Sequence, residues 1–107
     1  SSSLAFNGAQ LETVLINAND KVTRAKQLCN YDEYVEAAMR AQKWSPDDIS
    51  VVVEKLVPKK GAVAAYWIPQ PCPADVRAFD VQRLTITATE PSGRITRTIT
   101  MVKSDVS

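Results

Sequence analysis

The sequence predicts an α+β fold: a long N-terminal amphipathic helix packed on an antiparallel sheet of about four strands. Three observations carry this. Apolar residues in the first 29 positions recur with helical spacing. Residues 81–103, VQRLTITATEPSGRITRTITMVK, alternate apolar and polar on either side of a Pro-Ser-Gly turn. Between them lie two further apolar runs, 49–57 and 62–68, separated by Pro58-Lys59-Lys60-Gly61.

In the first helix, predicted over 4–29, Leu4, Gly8, Leu11, Leu15, Ala18, Val22, Ala25 and Cys29 advance by threes and fours and draw one apolar stripe. Val14, Ile16 and Leu28 flank it, and Glu12, Asp20, Lys21, Arg24 and Lys26 mark the wet side, acids early and bases late as the helix dipole prefers. At ~1.5 Å per residue such a helix approaches 40 Å, more than a domain of this size needs for its own core. Asn17 to Asp20 are weak helix formers, so a local kink is expected there.

A second, shorter helix is expected over 31–43, with Asn30 as its N-cap and Glu33 at the reciprocal capping position. Tyr34, Val35, Ala38 and Ala41 form its inner face. The acids Asp32, Glu33 and Glu36 read as partners of the helix dipole rather than as metal ligands. Pro46 ends this segment, and Asp47 and Asp48 read as turn residues, since no oxygen-rich loop of regular spacing surrounds them.

Strands follow at 49–57 and 62–68. Tyr66 and Trp67 are adjacent and so point to opposite faces, one to the core and one to the surface. The loop Pro69-Gln70-Pro71-Cys72-Pro73 is too rich in proline for a central strand. In the strand 81–89, Leu84, Ile86 and Ala88 share a parity; in the strand 94–103, Ile95, Ile99 and Met101 share one that Arg97 interrupts. Thr96, Thr98 and Thr100 make the opposite, β-branched stripe. Pro91 presets φ for the turn and Gly93 accepts positive φ near its end.

Length and composition fit a single domain, residues 1–107: 45% of the residues are hydrophobic and 23% charged, and the net charge is +1. Such a balance gives no field suited to a dedicated nucleic-acid or membrane-surface binder. The chain has no histidine, which removes the commonest general base, the Ser-His triad and the usual zinc ligand. We therefore expect no enzyme and no cofactor. Cys29 and Cys72 stand 43 positions apart and outside any CxxC-type cluster. Two readings stay open: a disulfide that closes a long loop, or two buried thiols.

The segment Cys72-Pro73-Ala74-Asp75, the strand Val81-Gln82-Arg83-Leu84-Thr85-Ile86-Thr87-Ala88-Thr89, the turn Pro91-Ser92-Gly93-Arg94 and the ending Thr100-Met101-Val102-Lys103 resemble the cysteine loop, penultimate strand, turn and terminal strand of bacterial minor pilins and pseudopilins, the type IV pilin-like proteins. Over 4–68 the likeness is architectural. The family's basic leader, the Gly before its cleavage point, the N-methylated Phe and the Glu after it are not in this sequence. The resemblance implies that they and an apolar half-helix precede Ser1.

It further implies a structural subunit of a type IV pilus or type II secretion-like filament, acting in filament initiation, adhesion or DNA uptake. Its partners would be other pilin subunits, with a membrane anchor before assembly and a place on the cell surface afterwards. The helix face Leu4, Leu11, Leu15, Ala18 and Val22 would pack in the filament. For DNA, the candidate patch is Lys59, Lys60, Arg77, Arg83, Arg94 and Arg97, set against a solvated mixed-charge surface. The alternative function is a free-standing secreted binding or inhibitor module that uses the last hairpin or the 69–75 loop.

Overall fold

The structure, a computed structural model, describes residues 2–72 and 81–104, with side chains from Phe6 onward. It is an α+β arrangement of two helices, α1 (Ser2–Arg24) and α2 (Asp32–Ala41), and four strands, β1 (Ile49–Val57), β2 (Tyr66–Pro69), β3 (Val81–Thr89) and β4 (Thr96–Ser104). All strand pairs are antiparallel and the sheet order is β2-β1-β3-β4. Two hairpins are thus joined through the β1–β3 ladder.

The pleat decides which face is covered. Along β3 the residues Gln82, Leu84, Ile86 and Ala88 are buried and their neighbours are half-buried, a strict alternation. The register places Ile49, Val51 and Val53 of β1 and Ile99, Met101 and Lys103 of β4 on that same face. Leu11, Val14, Leu15, Ala18 and Val22 from α1 and Val35, Ala38 and Met39 from α2 join Leu84, Ile86 and Ala88 in one buried cluster. The opposite face carries Thr85, Thr87 and Thr89 opposite Thr100, Thr98 and Thr96.

β3 has the boundaries that its alternation predicts, and β1 those of its apolar run. The helices do not. α1 runs unbroken through Asn17 to Asp20 but stops at Arg24, not at residue 29. The next residues find better partners. Leu28 N–H donates to the Tyr31 hydroxyl at 2.9 Å, and Leu28 C=O accepts from Gln82 Nε2 at 2.7 Å. Lys103 Nζ caps the helix end by donating to the carbonyls of Thr23, at 3.0 Å, and Ala25. A cation at a helix C-terminus is favoured by both hydrogen bonding and the dipole.

α2 also departs at its start. Asn30 does supply a side-chain acceptor, to Asp32 N at 2.8 Å, but the helix begins at Asp32 with Tyr31 in the capping position and no side-chain cap there. Its end is a Schellman motif: Trp44 N–H bonds Met39 C=O at 3.0 Å and Lys43 N–H bonds Arg40 C=O at 2.9 Å. Lys43 takes the left-handed conformation that this motif needs, at φ 60°. Trp44 then packs against the core. Asp47 and Asp48 lie exposed in a one-turn 3-10 segment whose Ser45 hydroxyl accepts from Asp47 N.

β2 is shorter than 62–68 and shifted. Lys60 and Val63 exchange both backbone bonds, at 3.0 Å each, around Gly61 at φ 60°, so the chain turns before pairing resumes at Tyr66. In the last hairpin, Gly93 sits at φ 77° and donates to Glu90 C=O at 2.9 Å. The Glu90 carboxylate, 1% exposed, accepts from Ser92 N at 2.8 Å and from the Ser92 hydroxyl. This turn is therefore closed by side chain as well as backbone. β4 begins two residues past the predicted start, at Thr96, because Ile95 belongs to the turn: its C=O accepts from Glu90 N at 3.1 Å.

Candidate functional site

The chemistry of the chain concentrates where the helical layer is fastened to the sheet. Cys29 and Cys72 form a disulfide with Cα atoms 5.4 Å apart, which decides between the two readings left open by the sequence. It closes a loop of 43 residues, for which the chain-entropy model gives about 4 kcal/mol of stabilisation. A bridge of this kind belongs to an oxidising environment, extracellular or periplasmic. No helix among the described residues is long and apolar enough to cross a membrane.

Next to the bridge lies a buried polar lock. The Tyr31 hydroxyl donates to Gln82 Oε1 at 2.7 Å while accepting from Leu28 N, and the amide nitrogen of Gln82 reaches Leu28 C=O. Tyr31 and Gln82 are both fully buried. The two residues thus satisfy each other and the backbone of the connector that carries Cys29. Low local dielectric strengthens such bonds and makes any missing one costly. Lys103, 6% exposed, adds its two carbonyl contacts from the adjacent strand. The signal for these residues was present in the sequence: Gln82 and Lys103 occupy the inward parity of β3 and β4. A polar residue at an inward position marks a specific partner.

The open face of the sheet is a second feature. Thr87 and Thr98 hydroxyls are 3.0 Å apart and those of Thr89 and Thr96 are 2.8 Å apart, so successive cross-strand rungs are bonded. Val52 and Val102 stand exposed beside them. Further along this face Arg83 donates to Glu54 from Nε at 2.9 Å and from its terminal nitrogen at 2.8 Å, and its guanidinium lies 4.7 Å from the centre of the Trp67 ring. Trp67 is on this outer face and Tyr66 is about half exposed, so neither enters the core cluster, contrary to the expectation that one of them would.

The six candidate DNA-contact residues do not converge. Arg83 is engaged by Glu54 and Trp67, and Arg97 Nε lies 3.6 Å from Glu12. Lys59 and Lys60 follow the end of β1, whereas Arg94 is in the β3–β4 turn, next to the Ile49 end of β1. A nine-residue strand separates the two ends by roughly 27 Å at the usual rise per residue. Arg77 lies outside the described residues. The candidate filament face is corrected as well. Leu11, Leu15, Ala18 and Val22 are 0–2% exposed within the chain's own core and leave no surface for a second helix. The Leu4 side chain is outside the described set. The large apolar groups that α1 turns outward are Phe6, 61% exposed, and Ile16, 69% exposed.

Among the described residues no group of three or more Cys, Asp or Glu side chains gathers as a metal site would require. A concavity of about 630 Å³ between the end of α1 and the start of α2 is lined by Asp20, Lys21, Arg24, Glu33 and Tyr34, among others. Its charges are mixed, and Arg24 is already paired to Asp20 at 3.0 Å. Comparisons with protein-family models, with curated proteins and with solved structures give no match for this chain.

Proposed function

We propose that the chain is the globular part of a type IV pilin-like filament subunit, a minor pilin or pseudopilin, with α1 as the continuation of a longer helix. The observation that carries this reading is the Cys29–Cys72 bridge. It joins the connector after the first helix to the loop that precedes the terminal hairpin, which is where the resemblance in sequence is strongest. The staple, the buried lock beside it and the position of α1 over the sheet support a part that transmits load from helix to sheet. Its neighbours in the filament would cover Phe6 and Ile16, the outward apolar groups of α1.

The coding sequence upstream of Ser1 tests the reading. We expect a short basic leader and then about 20 apolar residues running into α1. A conventional cleaved signal peptide in that place supports the other function, a free-standing secreted binding module. One observation favours that alternative: the outer face of the sheet, with its threonine rungs and exposed Val52 and Val102, is covered by no described element.

A further inference from the structure

We propose that the tip of the β1–β2 hairpin, residues 57–66, docks on an anionic phospholipid surface. The last rung that β1 shares with β3 is Lys55↔Gln82, whereas the β1–β2 ladder continues to Val57↔Tyr66. Residues 58–65 therefore project past the end of the sheet. Every residue from 58 to 66 is exposed. The same end receives the C-terminus of α1, held by Lys103, while Gly8 near the start of α1 lies beside Ile95 at the other end. The body is elongated, 55 × 26 × 22 Å. A projection at one end of such a body meets a plane before any other described element does.

The net charge of +1 gives the chain no overall basic field, but charge and polarity at the tip itself fit that plane. Lys59 and Lys60 are its charged residues, Lys55 lies just behind them on β1, and the sequence holds no acid from Lys55 to Cys72. Elsewhere Arg24, Arg40, Arg83 and Arg97 each have a carboxylate partner, whereas no salt bridge joins Lys59 or Lys60 to a described residue. Between the lysines lies a cleft of about 390 Å³ whose other walls are Val57, Pro58, Val63 and Tyr66. Val63 is 59% exposed and Tyr66 49%. Ammonium groups at phosphate level with an aliphatic group and a phenol ring beneath them is the arrangement that interfacial segments use. A nucleic acid would need more free cations along a track than two, and the sheet arginines are already engaged or at the far end.

The test is co-sedimentation of the disulfide-intact chain with vesicles of phosphatidylcholine alone and with about 30 mol % phosphatidylglycerol. We expect binding only to the anionic vesicles, lost as salt is raised to about 0.5 M, where the screening length falls below the reach of the lysines. Each of K59Q and K60Q is expected to weaken binding about fivefold. V63S combined with Y66S weakens it at unchanged charge. All four side chains are exposed at the tip, so the fold withstands these changes, and unchanged thermal unfolding verifies it. Equal binding to neutral vesicles, no binding to either, or binding unaffected by the lysine variants overturns the proposal. So does retention on immobilised poly-glutamate without any on vesicles, which would make the tip a site for an acidic protein segment. The filament reading is tested separately, at Phe6 and Ile16 on the outward side of α1.

Discussion

Replacing Gln82 with leucine removes both hydrogen bonds that tie β3 to the connector before α2. The Tyr31 hydroxyl loses its 2.7 Å acceptor and Leu28 C=O loses its 2.7 Å donor. The Tyr31 hydroxyl belongs to a fully buried residue and Leu28 C=O is half-buried, so water does not replace the first lost partner without distortion. An unsatisfied buried polar group costs ~1–3 kcal/mol. Leucine is apolar and of similar volume, and offsets part of this, which leaves a net loss of about 2–4 kcal/mol. Tyr31→Phe orphans Leu28 N–H and the Gln82 carbonyl oxygen and costs about 2 kcal/mol. In the double variant the cut between Tyr31 and Gln82 is counted once, so the two effects sum to less than additive by ~1 kcal/mol. Urea unfolding followed by circular dichroism, with the disulfide intact in all variants, measures the cycle. If Gln82→Leu falls within about 0.5 kcal/mol of the parent, or the two changes add, the lock is not a coupled network.

Other outcomes follow from single contacts. Changing Cys29 and Cys72 together to serine lowers unfolding free energy by about 4 kcal/mol in the chain-entropy model, and a loss under about 1 kcal/mol refutes that role. Lys103→Met leaves the carbonyls of Thr23 and Ala25 without their donor and lowers stability by about 2 kcal/mol, read as a shift in urea midpoint that added salt leaves unchanged. Lys43→Gly relieves a left-handed lysine at φ 60° and raises stability by ~0.5–1 kcal/mol; a decrease would show that the Lys43 side chain contributes more than its backbone costs.

Legibility in the sequence followed how many forces agreed at each site. In β3, alternation, β-branched composition and burial all point the same way, in β1 a β-branched apolar run lies between turn signals, and both strands begin and end where those patterns do. The Pro-Ser-Gly turn was equally plain, because Gly93 has one conformational task and performs it. The end of α1 was not legible. Ala25 and Cys29 continue the apolar stripe, yet Lys103 and Gln82, remote in sequence, take the backbone groups that another turn of helix would use. Tertiary partners outweighed local propensity there.

The site shows the same division. The cysteine pairing was one of two readings, and only the 5.4 Å approach of the two Cα atoms selected it. The basic residues looked like a patch when read as a list, but pairing in space assigns Arg83 to Glu54 and Arg97 to Glu12. The helical stripe predicted for contact between subunits turned out to be the helix's own core face. A single helix presents one apolar stripe and cannot use it twice, so the outward Phe6 and Ile16 become the groups available to a neighbour.

The central claim, that this is a filament subunit, is tested most directly by shearing surface filaments from cells that carry the full-length gene and probing them with antibody to this domain. The account predicts the chain in the sheared, sedimenting fraction, and its depletion there when Phe6 and Ile16 are both changed to glutamate while the domain stays folded. Recovery only as a soluble, non-sedimenting secreted protein would contradict it.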